Sequence, residues 1–108
     1  MEKSSRVIST NWQRNIQNDT FMSIDVSYAP EFVRLYGRIE LVLQDEIKEK
    51  ITLFKDRSNH KTLNVHKLHG RLRGRYSFSV NYKYRIIFEY LNKTSVALIT
   101  IGTHDIYK

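Results

Sequence analysis

A long apolar stripe, flanked by short alternating segments, constrains the fold of this chain more than any other feature. Between Phe32 and Phe54, apolar residues recur at every third or fourth position, which is the period of an amphipathic helix. The stripe consists of Phe32, Tyr36, Ile39, Leu43, Ile47, Ile51 and Phe54. Gly37 interrupts it, so we predict a short helix followed by a longer one. Pro30 fits the first helical turn, where its missing N–H is harmless.

The segments on either side of the stripe have the period of β-strands. Apolar and polar residues alternate in residues 22–26, before the stripe. They alternate again in residues 75–81 and 84–90, and residues 95–101 form a final, nearly continuous apolar run. Alternation is typical of strands with one buried face. We therefore predict the order strand–helix–helix–strand–strand–strand, an α+β domain with an antiparallel sheet and two helices on one face.

The length and the terminal composition limit the classes of protein that fit. A chain of 108 residues is long enough for one domain with one core. We expect a polar extension at residues 1–20, disordered or non-native, and a domain at residues 21–108. Residues 1–20 lack the apolar segment of a secretory signal, and no run approaches the ~20 apolar residues of a membrane span. These features predict a cytoplasmic protein without a membrane partner.

The absence of cysteine removes several kinds of site. Disulfide scaffolds, cysteine nucleophiles and thiolate zinc sites are excluded. We find no glycine-rich phosphate loop and no metalloprotease motif, and we expect neither a metal nor another cofactor.

Charge is distributed unevenly along the chain. Eighteen Lys and Arg stand against eleven Asp and Glu, a formal net charge of +7. No acidic residue occurs from Arg57 to Phe88, a segment that is rich in lysine, arginine and histidine. A surface of this kind is typical of proteins that bind polyanions. A solvated basic face is the alternative, and charge does not distinguish nucleic acid from an acidic protein partner.

Three motifs occur in a characteristic order in the second half of the chain. Residues 67–80 read KLHGRLRGRYSFSV, residues 84–88 read YRIIF, and residues 101–104 read IGTH. This combination resembles the RelE/ParE toxin superfamily over residues 21–108, and the GTH ending resembles its YafQ-type branch. The resemblance implies a toxin of a type II toxin–antitoxin system that acts as a ribosome-dependent mRNA endonuclease. Inhibition of DNA gyrase without catalysis, as in ParE, is the alternative, and simple RNA binding is a third.

The resemblance also implies the partners and the reaction. The partners would be an acidic cognate antitoxin, the ribosome and mRNA, with operator DNA bound only through the antitoxin complex. The reaction would need no metal, because the ribose 2′-OH attacks the neighbouring phosphate.

The resemblance implies roles for three residues of a catalytic centre. His104 of the GTH motif matches a general acid of the YafQ-type branch, and Arg85 matches an arginine that binds the scissile phosphate. His66 matches a further active-site histidine. Histidine titrates near neutrality, and a guanidinium binds two phosphate oxygens at once, so both residue types suit these roles. The alternatives are a histidine without a role at position 104 and an ion pair of Arg85 with an acid such as Glu89.

Further residues are expected to contact RNA. Arginine and lysine contacts would fix the register of the phosphates, and a terminal aromatic ring would stack on a base unless the C-terminus frays. These residues are Arg73, Arg75, Lys83 and Tyr107. One departure concerns Ser77 and Ser79, because RelE-type members carry two lysines at these positions. Histidines must therefore replace the lysine base in an active enzyme.

Overall fold

Five strands and two helices make up the described part of the computed structural model, which covers residues 23–107. The strands are β1 (Asp25–Tyr28), β2 (His66–Lys67), β3 (Tyr76–Ser79), β4 (Arg85–Asn92) and β5 (Ser95–Gly102). The helices are α1 (Pro30–Tyr36) and α2 (Leu41–Phe54). Single 3₁₀ turns occupy Arg57–Asn59, Gly70–Leu72 and His104–Tyr107. The extension predicted at residues 1–20, and its boundary with the domain, lie outside the described residues.

The strands form one mixed sheet in the order β1-β5-β4-β3-β2. The predicted α+β class, with two helices on one face, is confirmed, and two details differ from the expectation. β1 pairs parallel to β5, whereas every other pair of neighbouring strands is antiparallel. A parallel pair requires a long connection, which here includes both helices and three strands. The two-residue strand β2 adds an edge and is too short to give a periodic signal.

The helices pack on one face of the sheet through the predicted stripe. Phe32, Ile47, Ile51 and Phe54 are buried in the same cluster as the sheet residues Phe78, Ile86, Phe88, Val96 and Leu98. The ring of Phe54 stacks on Phe78 at a centroid distance of 4.3 Å and meets the edge of Phe88 at 4.8 Å. The amphipathic period of the helices therefore fixes which face of the sheet they cover. No helix in residues 23–107 is long and apolar enough to cross a membrane.

The opposite face of the sheet is organised by the strand register. Directly paired residues of antiparallel strands point to the same side, and successive residues alternate. Since Phe78 and Ile86 face the helices, two rows of paired residues face away from them. One row is Ser79, Arg85 and Gly102, and the next is His66, Ser77, Ile87 and Thr100. We call this side the open face.

Candidate active site

The β4–β5 ladder brings Arg85 and the GTH motif together. Arg85 is the first residue of β4, and its partner on β5 is Gly102. His104 begins the 3₁₀ turn that follows β5. Neighbouring strands are about 4.8 Å apart, so the motif passes directly beside Arg85. Two segments that are distant in the sequence thus meet at one end of the open face.

The guanidinium of Arg85 is held by the turn between β3 and β4. Its Nη1 donates to the carbonyl oxygen of Asn81 at 2.8 Å and, over 3.3 Å, to that of Tyr84. The side chain of Asn81 organises the same turn, because its Oδ1 accepts from the backbone N–H of Lys83 and of Tyr84. Its Nδ2 donates to Glu46 of α2 at 3.0 Å. Arg85 is therefore oriented by a turn that is itself anchored to the helical layer.

The acid that the sequence offered as a partner for Arg85 binds another arginine. Oε2 of Glu89 lies 3.4 Å from Nε of Arg75, and both side chains are about 40% exposed. Exposed ion pairs of this kind contribute little stability. Glu89, the acid that this alternative named, therefore pairs with Arg75 and not with Arg85. Arg75, which the sequence predicts to bind phosphate, shares its charge with a carboxylate.

His66 lies on the open face at the edge of the sheet, opposite Ser77. Its Nδ1 is 2.9 Å from the carbonyl oxygen of Asn64. A carbonyl only accepts, so Nδ1 carries the proton, and the neutral ring has an unprotonated Nε2 that is able to act as a base. Asn64 adopts a left-handed backbone conformation, with φ of 59°. Asparagine tolerates this conformation better than most residues, which explains its use at this turn.

The sheet geometry sets the separation between His66 and the Arg85 end. The two residues lie two strands and two residues apart, so their Cα atoms are about 12 Å from each other. That separation excludes direct contact between the two backbones, and Ser77 and Ile87, which lie between them, are both buried. The structure therefore gathers Arg85 and the GTH segment, with His66 across the same face.

The remaining predicted contacts divide between the two ends of β3. Lys83 lies in the turn beside Arg85, with its ammonium 5.6 Å from the ring centroid of Tyr84. Arg73 and Arg75 precede β3 and belong to its opposite end. Tyr107 belongs to the same 3₁₀ turn as His104, and its side chain lies outside the described part of the structure.

One histidine of the acid-free segment has a structural role. His60 stacks on Phe54 at a centroid distance of 4.6 Å, and its Nε2 donates to the Phe54 carbonyl oxygen at 2.7 Å. Burial lowers the pKa of His60, an effect only partly opposed by that hydrogen bond. This histidine is therefore part of the packing below α2. Among residues 23–107, no group of three His, Asp or Glu side chains is arranged to hold a metal ion.

Sequence reasoning missed the residues that orient the site. Asn64 contacts His66 through its backbone carbonyl oxygen, whereas Asn81 contacts Arg85 through its backbone carbonyl oxygen and orders the turn through its side chain. The residue type gave one weak indication of these positions, because asparagine favours turns and the left-handed conformation. Each asparagine precedes a predicted site residue by a few positions.

The structure is similar to several solved toxin structures. It matches YafQ from E. coli strain BL21(DE3) with a TM-score of 0.59 and 19% identity, covering 77% of this chain and 96% of that chain. The toxin–antitoxin complex RelBE2 from Mycobacterium tuberculosis matches with a TM-score of 0.62 and 17% identity, covering 76% of this chain and 99% of that chain. The archaeal RelE–RelB complex from Pyrococcus horikoshii OT3 matches with a TM-score of 0.59 and 15% identity, covering 76% of this chain and 96% of that chain.

Neither models of protein families nor curated protein sequences give a match to this chain. The likeness is therefore one of three-dimensional structure, at sequence identities of 20% or less among these neighbours. It agrees with the motif order in residues 67–104. The chain has the fold of the RelE/ParE toxin superfamily.

Proposed function

We propose that this chain is the toxin of a type II toxin–antitoxin system and cleaves mRNA on the ribosome without a metal ion. The observation that carries the proposal is the pairing of Arg85 with Gly102. This pairing sets the GTH motif beside a guanidinium that the β3–β4 turn holds on the open face. A protein that only binds its target has no need for a titrating group next to a fixed phosphate ligand.

The proposed reaction assigns one task to each of three side chains. Nε2 of His66 takes the proton of the ribose 2′-OH, whose oxygen attacks the phosphorus. The bond from phosphorus to the 5′-oxygen breaks, and protonated His104 gives its proton to that oxygen. Arg85 stabilises the additional charge on the phosphorane. The products are a 2′,3′-cyclic phosphate and a free 5′-hydroxyl group.

The serines at the lysine positions support a histidine-based mechanism. Ser77 is fully buried and Ser79 is half-buried. A hydroxyl group is a poor proton acceptor at neutral pH compared with imidazole. His66 shares its row on the open face with Ser77, so it supplies a base on the same side of the sheet.

We propose a cognate antitoxin as the regulating partner and the cytoplasm as the site of action. Two of the similar structures are toxin–antitoxin complexes, RelBE2 and RelE–RelB, and others are YoeB–YefM complexes. The acid-free segment from Arg57 to Phe88 supports an acidic partner, because complementary charge accelerates and orients association. Operator DNA would be bound only by the complex with the antitoxin.

Cleavage of mRNA in a purified translation system tests the proposed function. Wild-type protein should cut the message on the ribosome, with cut sites detectable by primer extension, and should leave gyrase supercoiling unaffected. Arg34→Ala is a matched control, because Arg34 is an exposed arginine of α1 on the helical side. Intact mRNA together with blocked supercoiling would establish the ParE-like alternative and reject the nuclease.

A further inference from the structure

A second recessed surface lies at the other end of the sheet from Arg85. Its volume is about 770 Å³, and its lining consists of Arg57, Tyr76, Tyr90, Asn92, Lys93 and Thr94. We call it the tyrosine groove. Tyr90 lies about 17 Å along β4 from Arg85, at ~3.4 Å per residue, and points to the helical side. The tyrosine groove is therefore separate from the candidate active site.

Two tyrosine rings form the aromatic part of this groove. Tyr76 and Tyr90 meet edge to face, with centroids 5.0 Å apart and an interplanar angle of 89°. Both rings also contact the buried ring of Phe88, at 5.6 Å and 5.5 Å. The tyrosines are thus supported from behind by the core. Rigid aromatic faces of this kind bind flat rings at little cost in conformational entropy.

The polar side of the groove is cationic and held in place. Nη2 of Arg57 donates to the carbonyl oxygen of Lys93, which ties the turn after α2 to the β4–β5 hairpin. Asn92 closes the same hairpin by accepting from the N–H of Thr94 at 2.9 Å. The nearby carboxylate of Asp56 is bound to Ser58. The groove therefore presents two cations beside two aromatic rings.

A second groove of about 390 Å³ adjoins the first at Tyr76. Its lining is Lys67, Leu68, His69, Arg73, Gly74, Arg75 and Tyr76, and we call it the basic groove. Among the described residues that line the two grooves none is acidic, although Glu89 contacts Arg75. Gly70 and Gly74 have φ of 68° and 95°, so glycine is required to shape this loop.

The two grooves share Tyr76 and together place several cations around two neighbouring tyrosine rings. Single-stranded nucleic acid has the complementary pattern, because each phosphate is followed by a flat base. The carboxylates of an acidic peptide would match the cations. They would not fill the two tyrosine faces, which need flat or apolar groups. The basic groove also begins at Lys67 on the edge strand β2, next to His66 in sequence, although the two side chains point to opposite faces of the sheet. The combination of cations with aromatic rings favours RNA.

We propose that the tyrosine groove and the basic groove form a track that binds the single-stranded RNA flanking the cleaved phosphate. A base stacks on the ring of Tyr90, which stands perpendicular to that of Tyr76, while Arg57, Lys93 and Arg73 bind phosphates. The choice of RNA as the polyanion rests on the proposed function. The track adds a substrate-binding surface to that function, away from the groups that would carry out the reaction.

Binding of an uncleavable RNA by the full chain tests the track. The probe is a fluorescein-labelled decamer of 2′-O-methyl uridine, which lacks the attacking hydroxyl, and the readout is fluorescence anisotropy. Tyr90→Leu should weaken binding about 5- to 150-fold, the usual effect of losing one stacked base. Tyr28→Leu is the matched control, because Tyr28 is 45% exposed on β1, at the opposite edge of the sheet from β2. It should bind as wild type does.

The salt dependence gives an independent measurement. Each lost phosphate contact should reduce the slope of log K against log salt by about 0.7 for a single strand. Lys93→Gln should show this decrease, whereas Arg34→Gln on α1 should not. Lys93 is exposed in a hairpin loop, so its variant keeps the test decisive if Tyr90→Leu fails to fold.

Each outcome separates the track from the nuclease. Equal affinities for Tyr90→Leu and Tyr28→Leu, or an unchanged salt slope for Lys93→Gln, would overturn the track. A groove that serves a protein partner would give the same unchanged RNA affinities and would also overturn it. Track-dependent RNA binding by a wild-type protein that cleaves no message would support the track and reject the proposed nuclease.

Discussion

Replacing Arg85 separates its role in the reaction from its role in the fold. Arg85→Ala removes the Nη1 donor of one hydrogen bond at 2.8 Å and of one longer bond. One such bond contributes about 1 kcal/mol to the free energy of unfolding. For a domain of this size, that loss lowers Tm by about 4–8 °C. The variant should therefore remain folded at ordinary assay temperatures.

The expected loss of activity is far larger than the loss of stability. Removing one donor that stabilises a developing oxyanion costs about 10²–10³ in rate. Arg85→Lys should recover part of this loss, since an ammonium keeps the charge but lacks the planar fork that binds two phosphate oxygens. The assay is single-turnover cleavage of a ribosome-bound message, with circular dichroism and thermal melting of every variant. Arg34→Ala serves as the control for removing an exposed arginine.

Two results would refute the reasoning on Arg85. The first is cleavage by Arg85→Ala within a factor of a few of the wild-type rate, which would leave the guanidinium without a role in the transition state. The second is a Tm decrease so large that the protein is unfolded in the assay. The β3–β4 turn would then depend on Arg85 as a structural element, which contradicts the expected loss of about 1 kcal/mol.

Three further predictions concern the histidines and the turn before β2. His104→Gln keeps a hydrogen-bonding group but cannot donate a proton to the 5′-oxygen, so single-turnover cleavage should fall about 10²–10⁴-fold, and a near-wild-type rate would refute the general acid. Asn64→Gly should be more stable in urea unfolding than Asn64→Ala by about 1 kcal/mol, because alanine is strained at positive φ; equal stabilities would contradict the left-handed turn. Burial lowers the pKa of His60 below its ordinary value of 6.5 in the folded state. The unfolded chain therefore binds more protons as the pH falls below about 6.5, so stability should decrease there, and His60→Gln should remove that part of the slope in denaturant titrations at several pH values.

The layers of the fold were predictable from the sequence because each has a period. The stripe from Phe32 to Phe54 identifies the helices and the face that they bury. The alternation in β3 and β4 identifies two strands with one apolar side. The alternation of a strand does not identify its neighbours in the sheet. A half-buried strand has the same sequence pattern beside a parallel or an antiparallel partner. The parallel pairing of β1 with β5 was therefore not predictable.

The sequence predicted the side chains of the site but not the backbone groups that support them. The motifs placed Arg85 and His104 in one centre, and the ladder brings their segments together. The supports of that centre are backbone groups, such as the Asn81 carbonyl oxygen below Arg85 and the Asn64 carbonyl oxygen beside His66. Every residue has a carbonyl group, so these contacts depend on tertiary geometry. The residue type alone therefore does not predict them. The ion pair between Arg75 and Glu89 depends on register in the same way.

The β4–β5 ladder contains two register shifts, one between Tyr90 and Asn92 near the hairpin and one between Ile87 and Phe88, closer to the site. Phe88 pairs with Leu98, whereas Ile87 pairs with Thr100, so one strand has an additional residue at Ile99. In a regular strand, Leu98 and Ile101 would point to opposite faces, because successive side chains alternate.

The bulge at Ile99 allows both Leu98 and Ile101 to be buried in the same core. Relative to the pair Phe88–Leu98, it advances the rest of β5 by one position, which offsets the shift near the hairpin and leaves Gly102 opposite Arg85. Bulges often occur next to active sites, where they redirect a side chain. The bulge at Ile99 therefore lets two apolar residues pack against the helices and, by offsetting the shift near the hairpin, keeps the start of the GTH motif beside the phosphate-binding arginine of the proposed site.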